Sequence, residues 1–215
     1  MTDNITINIQ SSIRLDAGKQ VLYFDPIEIG EATHDADIIF LTHSHSDHFD
    51  PESINKLSKG PDETFIVCPF EMRDEVQQKT NVEHNDIVPL RPGSEFTLNG
   101  FPIEAIRAYN IGKDFHPKDN NWLGYVVTVN GTRYYISGDM DATEEARAVR
   151  CDVALVPIGG KYTMDKDEAA AFVNGLKPKV VIPTHYGSII GEKTDGDDFA
   201  KKIDPSIQVV LKLWK

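Results

Sequence analysis

The chain has 215 residues and a hydrophobic content of 40%, which is ordinary for one compact domain with a full core. Its formal net charge of -12, from 34 acidic and 22 basic residues, disfavours binding to a polyanionic nucleic acid. The first residues lack the basic and apolar regions of a signal peptide, and no stretch reaches the length of a membrane span. The two cysteines, Cys68 and Cys151, are isolated in sequence and fit a reducing compartment. We therefore expect a single cytoplasmic domain over residues 1–215, with no nucleic-acid or membrane partner.

The predicted elements begin with strands. Four β-rich runs come first: ITINIQ, SSIRLD, KQVLYFD and ADIIFLTH. The last of them is apolar enough for a strand that is buried on both faces. A short helix is predicted next, because Asp50 supplies an N-cap and Pro51 occupies the first helical position, and Gly60-Pro61 stops this element.

The middle of the chain is dominated by strands, and the last third alternates between helices and strands. The strand-like runs of the middle are ETFIVC, EFTLNG, FPIEAIRAY, LGYVVTVNG and TRYYISGD. Asn130-Gly131 predicts a tight hairpin turn between the last two of these runs. In the last third, DATEEARAVR and a segment ending near Asn174-Gly175, DKDEAAAFVNGL, are helix-like, whereas DVALVPI and KVVIPTH are strand-like. This pattern predicts two sheets packed face to face, with helices on the outer sides.

The run THSHSDHFD, residues 42–50, concentrates potential metal ligands at the carboxyl end of an apolar strand. Along an extended backbone, His43 and His45 point to the same side, and the following turn can bring Asp47 and His48 to a neighbouring point. Imidazole and carboxylate groups suit zinc, iron or manganese. A histidine-rich loop can also be a merely polar surface loop, but four potential ligands at one strand end favour a metal site.

The same four residues match the His-x-His-x-Asp-His signature of the metallo-β-lactamase superfamily, which the chain resembles. YFDP (23–26), SGDMD (137–141) and PTHYG (183–187) occur in that family's order. SSIRLD, PTHYG and PIGGKYTMDKDEA (157–169) resemble more narrowly a small, uncapped branch related to ascorbate-6-phosphate lactonase. The resemblance implies an α/β fold, a four-layer αββα sandwich over nearly the whole chain, and metal-dependent hydrolase activity.

The resemblance also implies a site for two divalent ions. Its ligands would be His43, His45 and His116 for one ion, Asp47, His48 and His185 for the other, and Asp139 as the bridge. Zinc is the expected metal, with manganese or iron as alternatives. Such a pair can activate a shared water as hydroxide for hydrolysis, with Asp47 and Asp139 as the catalytic carboxylates and Asp47 accepting or shuttling the proton.

The third family motif is irregular in this chain. The family places its histidine at a strand end, where this chain has Asn110, and His116 follows later in the same loop. We prefer His116 as the ligand because imidazole binds a divalent ion better than a neutral amide does. Asn110 stays an alternative for that place and is otherwise expected to face the substrate. Asp25 resembles the family's early aspartate, which braces the ligand loop by hydrogen bonds, although it could instead only stabilise the turn before Pro26.

Three lysines, Lys113, Lys118 and Lys161, lie in loops of an otherwise acidic chain. A small anionic substrate could be anchored by Lys161 and Tyr162, which lie in the glycine-bearing GGKYT turn. Lys113 and Lys118 are more simply interpreted as solvated surface lysines.

These observations predict a hydrolase of a small ester, lactone or phosphodiester. Two alternatives stay open: a metal-stabilised binding or scaffold protein without turnover, and a diiron redox protein of the same fold. A homo-oligomeric assembly also stays open.

Overall fold

The computed structural model describes residues 2–213. The chain folds into two compact units, of which the second is Pro92–Leu213 and the first contains the residues up to Arg91. Each unit carries one β-sheet together with helices. The prediction that residues 1–215 form a single domain stays a prediction.

The first unit holds a six-stranded sheet whose strands neighbour one another in chain order. The strands are β1 (Ile5–Ile7), β2 (Ile13–Asp16), β3 (Val21–Phe24), β4 (Ile38–Phe40), β5 (Phe65–Pro69) and β6 (Ile87–Leu90). The first three pair antiparallel, and β3 to β6 pair parallel. Because β3 and β4 are parallel, with Phe24 opposite Phe40, the residues that follow both strands lie at the same edge of the sheet.

Two helices belong to the first unit, α1 (Pro51–Leu57) and α2 (Arg73–Lys79). Helix α1 begins as predicted, because the side chain of Asp50 accepts a hydrogen bond from the backbone N–H of Glu52 and Pro51 occupies the first turn. One buried apolar cluster of this unit includes Ile39, Leu41 and Ile54. This core fixes α1 and therefore the direction in which the chain leaves β4.

The second unit holds a seven-stranded sheet that is antiparallel in its first half and parallel in its second half. Its strands are β7 (Glu95–Leu98), β8 (Phe101–Arg107), β9 (Leu123–Val129), β10 (Thr132–Ile136), β11 (Val153–Pro157), β12 (Val180–Thr184) and β13 (Gln208–Val209). Asn130 and Gly131 join β9 to β10 with positive φ angles of 49° and 77°, as the predicted tight turn requires. The carboxyl ends of β10, β11 and β12 share one edge of this sheet.

Three helices complete the second unit: α3 (Glu144–Ala148), α4 (Lys166–Leu176) and α5 (Asp195–Ala200). Helix α4 begins with a capping box between Asp165 and Glu168 and is followed by Lys177 in a left-handed conformation. It packs Phe172 and Val173 into the core of this unit. Within residues 2–213, no helix combines the length and apolar character that crossing a bilayer requires.

Gly124 in β9 lets the neighbouring strand pass very close to it. A Cβ atom at this position would lie 2.6 Å from the backbone oxygen of Ser137, at the start of the SGDMD segment. Replacement by alanine would therefore push apart two backbone segments that have no flexible side chain to yield.

We expect Gly124→Ala to lower the free energy of unfolding by about 1–3 kcal/mol, because overpacking forces the backbone to shift. Gly175→Ala is the matched control. It lies within α4 with nothing within 4 Å of the added Cβ, so it should raise this free energy by about 0.5–1 kcal/mol. Urea denaturation followed by circular dichroism measures both, and equal effects of the two substitutions would contradict the prediction.

Candidate metal centre

The first set of donors lies directly after β4, in the loop that leads to α1. Its members are His43, His45, Asp47 and His48. The loop turns sharply, because the backbone N–H groups of His48 and Phe49 both donate to the carbonyl of His45, at 2.9 and 2.8 Å. His43 and His48 are buried, whereas His45 and Asp47 are half-buried. The loop is therefore ordered by its own backbone and carries its donors on a fixed turn.

Asp25 holds two of these histidines from behind. It follows β3, is fully buried, and accepts hydrogen bonds from Nδ1 of His48 at 2.7 Å and from the hydroxyl of Thr42 at 2.6 Å. The same hydroxyl lies 2.9 Å from Nδ1 of His43. Burial raises the pKa of the Asp25 carboxyl, and the hydrogen bonds from His48 and Thr42 oppose this shift by stabilising the carboxylate.

This network determines which nitrogen each histidine can offer to a metal. When Nδ1 of His43 and of His48 carries the proton, the hydrogen bonds through Thr42 and Asp25 are satisfied, and the lone pair lies on Nε2. Nε2 of His43 lies 3.2 Å from Nδ1 of His45, and Nε2 of His48 lies 3.8 Å from an oxygen of Asp47. The first unit thus gathers two pairs of donor atoms on one turn.

The second set of donors is His116, Asp139 and His185, all within the second unit. Asp139 follows β10 in the SGDMD segment, and His185 follows β12 in the PTHYG segment. One oxygen of Asp139, Oδ2, lies 3.3 Å from Nε2 of His116 and 3.2 Å from Nε2 of His185. All three side chains are at most 3% exposed. Two imidazoles that are far apart in sequence therefore approach the same carboxylate oxygen.

Asn110 and His116 lie side by side, but their side chains contact different groups. The Asn110 amide nitrogen donates to the carbonyls of Phe115 and Tyr162 and lies 3.2 Å from Nδ1 of His116. Asn110 thus lies behind the imidazole, whereas Nε2 of His116 faces Asp139. The Oδ1 atom of Asn110 is buried and has no hydrogen-bond partner within residues 2–213.

The chemistry of the donors fits divalent transition ions. Among the described residues, seven side chains in clusters could hold such ions, five imidazoles and two carboxylates: His43, His45, His48, His116, His185, Asp47 and Asp139. Nitrogen and carboxylate oxygen suit zinc, manganese and iron, and no thiolate is present to select a softer ion. A buried carboxylate oxygen approached by two imidazole nitrogens is the kind of group that bridges or binds such cations.

The three loop lysines differ in what they contact. Lys113 donates to the carboxylate of Asp141 and to the carbonyl of Thr163, and Lys118 pairs with Glu145 and lies over the ring of Tyr109. The interpretation as a merely solvated lysine is therefore wrong for Lys113, which is half-buried, whereas Lys118 is exposed, as that interpretation expects. The ammonium of Lys161 lies 4.7 Å from the ring centroid of Tyr162 and has no carboxylate partner in the part of the chain that the structure describes.

Sequence reasoning missed two residues that shape the site. Thr42 relays the hydrogen bonds between Asp25 and His43, and only its position before His43 could have indicated it. Gly159 lies so close to the backbone of His185 that a Cβ atom would be 2.2 Å from the His185 carbonyl oxygen. A glycine at the end of a strand gives no sign of such an approach in the sequence.

Comparison with known proteins places the chain in a family. The beta-lactamase superfamily domain matches residues 4–185. A metal-dependent hydrolase of Thermoplasma acidophilum is 31% identical over 168 residues, which cover 76% of this chain and 71% of that protein. A metal-dependent hydrolase of Pyrococcus abyssi is 28% identical over 208 residues, covering 90% of this chain and 89% of that protein. A crystal structure from Parabacteroides distasonis, assigned as a metal-dependent hydrolase, has a TM-score of 0.79 and 29% identity, covering 98% of this chain and 93% of that chain.

The matched domain includes every predicted ligand, from His43 to His185. The structural similarity extends over nearly the whole chain, so the predicted α/β fold class is confirmed. The chain belongs to the metallo-β-lactamase superfamily, as its His-x-His-x-Asp-His motif predicted.

Proposed function

We propose that this protein is a metal-dependent hydrolase in which the two donor sets together hold two divalent ions. His43, His45 and His116 bind one ion in this proposal, Asp47, His48 and His185 bind the other, and Asp139 is shared. The observation that carries it is the approach of two imidazole nitrogens to Oδ2 of buried Asp139, at 3.3 and 3.2 Å. Relatives named as metal-dependent hydrolases support the choice of an enzyme over a metal-stabilised scaffold.

Bound divalent ions would lower the pKa of water toward neutrality and polarise the bond to be hydrolysed. Zinc is our first choice of metal, with manganese and iron as alternatives, because all three accept this mixture of donors. The chain itself must orient the donors, exclude bulk water and move protons.

Each residue of the site has a task in this proposal. Asp47 is half-buried and can exchange a proton with the reacting groups. Asp25 keeps the imidazole of His48 directly, and that of His43 through Thr42, in the tautomer that offers Nε2. Asn110 offers its buried Oδ1 as an acceptor toward a bound molecule.

The side chains near the site and the net charge support a choice of substrate class. We propose a small ester, lactone or phosphodiester that carries an anionic group, with Lys161 and Tyr162 near that group. Lys161 supports this choice, because its ammonium has no carboxylate partner among the described residues of a chain that carries a net charge of -12. The same net charge disfavours a nucleic-acid substrate.

Asp139→Ala tests the shared carboxylate. The substitution removes the oxygen on which His116 and His185 converge, so the protein should lose at least one ion per chain and about 100-fold or more of its hydrolytic activity while remaining folded. Elemental analysis, circular dichroism and hydrolysis of 4-nitrophenyl acetate and bis-4-nitrophenyl phosphate measure these outcomes. Asp119→Ala, at an exposed position of the same unit, is the control and should keep both properties. Full metal content and activity in Asp139→Ala would contradict the proposal.

Asp25→Asn tests the hydrogen-bond network behind the donors. Asp25 accepts from the Thr42 N–H through Oδ1 and from both the Thr42 hydroxyl and Nδ1 of His48 through Oδ2. Because an amide has only one acceptor oxygen, Asp25→Asn loses the acceptor at one of these two positions, and the two imidazoles lose their fixed orientation. We expect zinc affinity to fall by about 10-fold to 100-fold, measured by competition with a chromogenic chelator. Asp35→Asn, which removes a partly exposed carboxylate of the same unit, should leave zinc affinity unchanged. An unchanged affinity in Asp25→Asn would assign Asp25 a purely structural role.

A further inference from the structure

The GGKYT turn, residues 159–163, contacts the segments of all three donors of the second unit. Gly159 packs on the backbone of His185, so closely that an added Cβ atom would lie 2.2 Å from the His185 carbonyl oxygen. The N–H of Met164, directly after the turn, donates to the carbonyl of Met140, the neighbour of Asp139. The Tyr162 carbonyl accepts from Asn110, which lies against His116. Residues in this turn are therefore held next to the donor set by three separate contacts.

Lys161 is presented to solvent in a conformation that few side chains adopt. Its φ is +49°, next to Gly160 at +74°, and left-handed backbone is unfavourable for a residue with a Cβ. The side chain is exposed, and its ammonium lies over the face of Tyr162. The turn thus holds one positive charge against an aromatic ring beside the donors.

A second aromatic ring packs on the one that carries this charge. The ring of Phe115 packs edge-on against Tyr162, with centroids 4.6 Å apart and an interplanar angle of 81°. Phe115 remains 44% exposed and Ile111, in the same loop, 61% exposed. Ile189, in the loop after His185, is 60% exposed. Exposed large apolar side chains in the loops that carry candidate ligands are typical of surfaces that bind a ligand.

We propose that the substrate is an ester or lactone with an aromatic or aliphatic body and a single carboxylate, which Lys161 binds while the body packs on Tyr162 and Phe115. This inference rests on the proposed function and names its substrate class. One ammonium balances the single charge of a carboxylate, whereas a phosphate dianion would keep a net negative charge beside a chain of net charge -12. The apolar surroundings favour a hydrocarbon body over a sugar.

Three 4-nitrophenyl esters of 3-phenylpropanoate test this proposal: one with a para carboxylate, one with a para carboxamide and one with a para phosphonate. The zinc-loaded full chain should prefer the carboxylate ester. Lys161→Gln should lower the ratio of kcat/KM for the carboxylate ester to kcat/KM for the carboxamide ester by about tenfold, through KM rather than kcat. Lys177→Gln is the matched control, since Lys177 is also exposed and left-handed, with φ +55°. It should leave this ratio unchanged.

Calorimetry with the hydrolysis product, 3-(4-carboxyphenyl)propanoate, gives a readout that does not depend on turnover. Lys161→Gln should weaken its binding about tenfold, and Lys177→Gln should not. A preference for the phosphonate or the carboxamide, or equal product binding by Lys161→Gln and the unmodified chain, would overturn the proposal. If the zinc-loaded chain binds the product as expected but hydrolyses none of the three esters nor 4-nitrophenyl acetate, the proposed hydrolase function fails while this binding site stands.

Discussion

Two buried carboxylates, Asp25 and Asp139, organise the polar side chains at the ends of the strands. A buried carboxylate is costly unless hydrogen-bond donors or cations surround it. Asp25 meets this requirement with Thr42 and His48, and Asp139 does so with the imidazoles of the second unit. These partners either are candidate metal ligands themselves or, like Thr42, hold one in place. The contacts that make burial of the carboxylates tolerable therefore also position the metal ligands before an ion binds.

Four residues of the candidate site and its surroundings have left-handed backbone. Asp25, His116, Lys161 and His185 all have φ between 44° and 58°, although none of them is glycine. Each such residue costs about 1–3 kcal/mol and persists only where its surroundings determine its conformation. At these positions the cost is offset by specific contacts, such as the hydrogen bond of Asp25 to Thr42 and the packing of Gly159 on His185. The strained backbone directs side chains that regular strands or helices would point elsewhere.

The first donor set could be predicted from the sequence because its members lie within one loop after an apolar strand. The convergence of His116, Asp139 and His185 could be expected only from the family resemblance and not from the local pattern, since it depends on which strands neighbour one another and on a loop that reverses after Asn110. Some elements were also missed for local reasons. Strand β6 contains a proline, which argues against a strand, and α5 is short, acidic and contains Gly196, so it shows no helical periodicity. Short elements are determined by packing against the rest of their unit rather than by their own pattern.

The central claim is that the two donor sets act on the same ions. Anomalous diffraction at the zinc absorption edge, from crystals of the zinc-loaded full chain, tests it most directly. Our account requires two strong peaks per chain, each bound by side chains from both donor sets, with the Asp139 carboxylate contacting both. A single peak, or peaks whose ligands all come from one donor set, would contradict it.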